Sequence, residues 1–141
     1  MLQLENIENA YSFHSYDDHS AKLVKPGANI HSNNAADAIL EINISTLIYK
    51  DKVYNELMGS EMFPASFADF DEQCVEKLSQ YDADIYLIGT GNTSRFPDKA
   101  ILQFIASKAL SIDFMDIGAA SRTFNILTSE YRKVAALIFF N

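Results

Sequence analysis

Ile85-Tyr86-Leu87-Ile88-Gly89-Thr90-Gly91, followed downstream by Ile112-Asp113-Phe114-Met115 and by Val134-Ala135-Ala136-Leu137-Ile138-Phe139-Phe140, decides the fold. Ile85–Ile88 and Val134–Phe140 are nearly unbroken apolar runs, too short for helices, as strands buried on both faces are. The stretches between them change period. Pro97 suits the first turn of a helix running to about Ala109, with Ile101, Leu102, Ile105 and Ala109 facing inward. Gly118 precedes a second helix, from about Ala119 to Glu130. Strand, helix, strand, helix, strand with short joints makes a βαβαβ unit containing parallel strands.

Upstream the pattern is extended. Tyr11-Ser-Phe-His-Ser-Tyr16 alternates aromatic and polar residues as a half-buried strand does, and Ala21–Lys25 reads as another, stopped by Pro26-Gly27. Ile39–Ser45 and Thr46–Lys50 are further strands. Lys50-Asp51-Lys52 turns the chain into Val53-Tyr54 as a hairpin. Phe67, Phe70, Cys74, Val75 and Leu78 then sit at helical spacing, with Ser66 as the N-cap of one helix over Phe67–Leu78. The expected architecture is α/β: a three-layer β/β/α single domain, antiparallel at its start and βαβαβ at its end. Residues 37–141 form that domain, and residues 1–36 are an N-terminal extension packed on it.

Length and composition bound the function. The chain has 141 residues, 48% hydrophobic and 21% charged, with 11 basic and 19 acidic side chains. That is a globular composition, not a disordered or fibrous one. The net charge of −8 excludes bulk nucleic acid as a partner, because such binders present a basic face. The deficit is uneven: residues 1–91 balance at −10 and residues 92–141 at +2. Cys74 is the one cysteine, so no internal disulfide forms, which suits a reducing cytoplasm. The first residues lack a basic n-region, and the longest apolar run is far below the roughly 20 residues of a membrane span. A cytoplasmic protein with no membrane span is expected.

In an open α/β sheet, ligands gather at the carboxyl ends of parallel strands. Two loops lie there: Gly89-Thr90-Gly91-Asn92-Thr93-Ser94-Arg95, and Asp116-Ile117-Gly118-Ala119-Ala120-Ser121-Arg122-Thr123 after the strand Ile112–Met115. If the two strands are neighbours, these loops face each other across one cleft, each bringing glycine, hydroxyls and one arginine. Those groups suit a small anion. A dinucleotide fingerprint is incomplete, since Ser94 and Arg95 stand where a third glycine is needed, and the Walker lysine is absent. Alternatively Gly89 and Gly91 serve a tight turn and Gly118 a backbone with φ above zero. His14, Asp17, Asp18 and His19 lack a metal-ligand spacing and read as a solvated loop. Cys74 reads as an inert core thiol. Asp113 and Asp116 point to opposite faces, and no histidine lies in the second part to build a triad. No catalytic, cofactor or metal residue follows from the sequence.

Leu87-Ile88-Gly89-Thr90-Gly91, Arg95-Phe96-Pro97, Met115-Asp116, Ala119–Leu127, Glu130 and Arg132–Ala136 occur in that order. Over Tyr81–Phe140 this resembles a family of small uncharacterised prokaryotic α/β domains. That family includes mitochondrial complex I (NADH:ubiquinone oxidoreductase) assembly factor 3 and the adipogenesis-associated human homologue. The resemblance weakens over Ile44–Leu78, where Tyr49–Tyr54 looks like the family hairpin. It implies a β/β/α domain, no established enzyme activity and, from the mitochondrial member, a role as an assembly partner. The positions it carries over are Gly89, Thr90, Gly91, Arg95, Met115, Asp116, Arg122, Thr123 and Asn125. This chain departs at Ser121, where many bacterial relatives have cysteine, and at Phe124, where they have tyrosine. A mechanism built on that thiol is therefore absent. The functional expectation is a non-enzymatic interaction or assembly module with a protein partner and no cofactor. The alternative is a small-anion or nucleotide-binding domain using the cleft. The extended N-terminal strands offer edges for a homo-oligomer.

Overall fold

Residues 10–28, 35–59 and 63–141 are described by the computed structural model. Strands β1 (Ser12–Tyr16), β2 (Ala21–Val24) and β3 (Ile39–Ile42) form an antiparallel sheet in that order. The β1–β2 turn is built by Asp17, whose carboxylate accepts from the backbone N–H groups of His19 and Ser20 at 2.8 Å each. Those two bonds hold its carboxyl below the usual range. Within β1 the register slips: Phe13 faces Leu23, Ser15 faces Lys22 and Tyr16 faces Ala21. His14 is thus the extra residue of a β-bulge. Leu23 and Ala21 point into the core; Phe13 joins them there, and Tyr16, 46% exposed, lies on the same side of the sheet over α3, although simple alternation would set the two on opposite faces.

The expected hairpin follows as β4 (Thr46–Tyr49) and β5 (Lys52–Tyr54), turning through Lys50 at φ 57°. Then come α1 (Glu72–Leu78), β6 (Ile85–Thr90), α2 (Lys99–Ser107), β7 (Ile112–Met115), α3 (Ile117–Ser129) and β8 (Val134–Phe139). The second sheet has the order β5-β4-β8-β6-β7. β6 runs parallel to both β7 and β8, while β4 runs antiparallel to β8. This is the anticipated mixed α/β architecture.

Strand alternation gives the large sheet two apolar faces. Leu47, Ile88, Leu137 and Phe139 meet Val75 and Leu78 of α1 and Ile105 of α2. Ile48, Leu87, Ala136 and Ile138 meet Phe124 of α3 and Phe13, Leu23 and Ile42 of the small sheet. All of β8 is buried, which accounts for its unbroken apolar run.

The structure corrects four local expectations. The helix over Phe67–Leu78 is broken: Ser66 caps a single 3-10 turn, Phe70 returns to extended backbone at ψ 123°, and Asp71 caps α1 afresh. Two capping residues five positions apart compete here, and one turn already brings Phe67 and Phe70 into a stack at 5.8 Å. On α2, Leu102 is 40% exposed and Ala109 lies beyond the helix at φ 56°, while Phe104 packs inward instead. Gly118 does not have a positive φ. Asp116 starts α3 earlier than expected, so Gly118 falls within its first turn. Gly89 and Thr90 belong to β6 rather than to a loop.

Candidate functional site

β6 and β7 are neighbours, so their carboxyl ends lie side by side as expected. What they form is a closed joint. A Cβ on Gly89 would lie 2.8 Å from Ile138 Cδ1, so glycine lets β8 pack there. Thr90 is fully buried; its hydroxyl donates to the Thr93 carbonyl at 2.7 Å and accepts from the Arg95 N–H at 3.1 Å. Gly91 turns the chain at φ 95°, and its carbonyl accepts from the Ile117 N–H at 2.8 Å, tying one loop to the other. Arg95 folds back: Nε and Nη2 both donate to the Thr90 carbonyl, at 3.0 and 2.6 Å, and the guanidinium lies 5.0 Å over the Phe67 ring. Asp116 caps its own helix by accepting from the Ala119 N–H at 2.8 Å. Met115 packs half-buried under α3.

The structure thus brings together Gly89, Thr90, Gly91, Arg95, Met115 and Asp116, while Arg122, Thr123 and Asn125 lie further along α3. Asn125 turns toward β1, accepting from the Phe13 N–H at 2.8 Å and donating to its carbonyl at 2.9 Å. Thr123 is half-buried on α3. Arg122 is exposed and also faces β1. Arg95 stacks on the helix-covered face of the large sheet, whereas Arg122 stands on the face shared with the small sheet. The two arginines thus make their contacts in different places, Arg95 at Thr90 and Phe67 and Arg122 beside β1.

Arg122 opens instead on a groove of about 290 Å³ between β1 and α3, lined by Phe13, His14, Ser15, Tyr16, Ser121 and Asn125. Ser121 contributes wall rather than chemistry, since its buried hydroxyl donates to the Ile117 carbonyl at 2.7 Å. No sequence motif marks Tyr16, and His14 is found on β1 rather than in the solvated loop expected for it. The available signal was the two-residue gap between Phe13 and Tyr16, one too many for alternation. A smaller hollow of about 120 Å³ lies among Asn43, Tyr54, Phe63 and Phe140. Asn55 there gives its side chain to the Thr46 hydroxyl and the Met58 N–H. Cys74 is buried, and burial pushes its thiol up to about 11.

Comparison with known proteins extends this picture. A Xanthomonas campestris protein superposes with a TM-score of 0.69 at 22% identity, over 99% of this chain and 91% of that one. A Bartonella henselae protein described as an outer membrane protein gives 0.65 at 24%, over 95% and 98%. A Bordetella pertussis protein described as a Mth938-like domain gives 0.64 at 16%, over 99% and 91%. These likenesses establish the fold. A Francisella tularensis protein named 13 kDa major membrane protein is 40% identical over 55 residues. That match covers 39% of this chain and 45% of the relative, so less than half of either. Among the described residues no helix is long and apolar enough to cross a membrane. Residues 33–139, well over half of the chain, match the family described as "Protein of unknown function (DUF498/DUF598)", and the chain belongs to that family.

Proposed function

We propose that this chain is a non-enzymatic interaction module, a cytoplasmic, assembly-factor-like helper that works on a protein complex. The observation that carries the reading is the closed joint between β6 and α3. A nucleotide-binding loop keeps its N–H groups and its arginine turned toward the ligand. Here the Arg95 guanidinium is committed to the Thr90 carbonyl, the Ile117 N–H to Gly91, and the Asp116 carboxylate to its own helix. These features stabilise a scaffold. The resemblance to the family of complex I assembly factor 3 supplies the assembly role. The Francisella and Bartonella relatives are named for membranes, which supports a membrane complex as the client.

The partner contact, or pairing with a second copy, uses the sheet edges: β5 and β7 flank the large sheet and β3 the small one, whose other edge, β1, Asn125 already meets at Phe13. In this reading residues 1–36 are an extension that docks through β1 and β2 onto the domain spanning 37–141. The test is the full chain, tagged and kept at native abundance, run on native gels after mild detergent extraction of its own cells. A defined complex is expected, with reciprocal recovery when the partner carries the tag. A chain that migrates alone in both soluble and membrane fractions overturns the reading.

A further inference from the structure

We infer that the groove between β1 and α3 is a binding site for an oxyanion, a carboxylate or phosphate group carried by a small molecule. This goes beyond the interaction role and does not depend on it. Three observations converge. First, the bulge at His14 re-aims Tyr16 so that its ring lies over α3, and bulges recur beside binding sites for this reason. Second, Gly118 makes room for what meets there. A Cβ on it would lie 2.5 Å from the Tyr16 hydroxyl and 3.3 Å from Arg122 Nη1, so both polar tips gather over one patch of backbone. Third, those tips are uncommitted: among the described residues neither the Tyr16 hydroxyl nor the Arg122 guanidinium has a hydrogen bond or an ion pair.

Arg95 shows the contrast, because its Nε and Nη2 are bonded to the Thr90 carbonyl and its guanidinium lies over Phe67. A guanidinium fork beside a phenolic donor is suited to two oxygens of one anion. His14, exposed at the bulge, lines the same groove. The walls are fixed, since Asn125 holds β1 and Ser121 holds the α3 backbone. The backbone that carries the two donors is therefore fixed before a ligand arrives. The α3 N-terminus plays no part, as Asp116 already caps it.

The test is a titration of the ¹⁵N-labelled full chain, followed by NMR, with inorganic phosphate and separately with malonate. Chloride at matched ionic strength and pH is the control. Saturable shifts are expected at the Gly118 amide, the Arg122 Nε–H and the Tyr16 ring. Saturation by phosphate alone, by malonate alone or by both supports the site and names the group it takes. Arg122→Gln weakens binding by about tenfold or more, and Tyr16→Phe by roughly two- to tenfold. Gly118→Ala places a methyl where the Tyr16 hydroxyl sits; it weakens binding with Arg122 intact, while the thermal midpoint holds or rises. Shifts that chloride reproduces, shifts that never saturate, or unchanged affinity in Arg122→Gln overturn the proposal.

Discussion

Replacing Arg95 with alanine removes the cation above Phe67 and the two N–H groups that meet the carbonyl of buried Thr90, leaving that acceptor without these donors. Losses of about 1–3 kcal/mol in urea unfolding are expected. Arg122→Ala, on an exposed side chain with no such contacts, stays within about 0.5 kcal/mol of the parent. The two arginines are equivalent in sequence, each following glycine and hydroxyl residues, and only the fold separates the brace from the free donor. Cys74 makes a second prediction at this scale. Burial lifts its thiol from an ordinary 9.0 to about 11. Below pH 9 folded and unfolded chains both keep the proton, and the shift has no effect on stability. Between 9 and 11 the unfolded chain releases it while the folded chain holds it, so stability falls as pH rises through that window. Tyr11, Tyr81 and Tyr86 are raised by burial too, and extend the loss above pH 10. Urea midpoints across this range check it, and Cys74→Ala flattens the first part of the decline.

Among the elements, β1 depends on one side chain for its seat on α3. Asn125 makes both of its hydrogen bonds to the Phe13 backbone. In Asn125→Ala, hydrogen exchange is expected to speed up across β1 while β6 and β8 stay protected, because their ladders do not involve it. Legibility also varied by element. Ile85–Ile88 and Val134–Phe140 were readable because a strand buried on both faces needs apolar residues at every position. The Lys50–Lys52 hairpin was readable from its turn. Phe67–Leu78 misled because a helix and a capped single turn both place residues three apart on one side. The glycine loops were legible as special, but the reasons were not. Gly118 makes room for the Tyr16 hydroxyl and Gly89 for Ile138 Cδ1, each brought in from a distant part of the chain. Local sequence carries no trace of such a neighbour. The Phe13–Tyr16 spacing alone hinted at the groove.

For the whole molecule, the small sheet is part of the core rather than an ornament on it. Phe13, Ala21 and Leu23 cover Ile48, Ile138 and Phe124. Removing residues 1–27 would bare that face, costing several buried side chains at about 1.5–3 kcal/mol each. The truncated chain is expected to bind a hydrophobic dye and precipitate on mild warming, where the full chain melts cooperatively. The position of β8 has a consequence for biosynthesis. It pairs with β4 on one side and β6 on the other, yet it follows both in the chain. Until residues 134–139 leave the ribosome, the hairpin half and the parallel half of the sheet each keep an unpaired flank. A nascent chain arrested before Val134 is thus two adhesive fragments without a shared centre, a client for chaperones and proteases rather than a partly working protein.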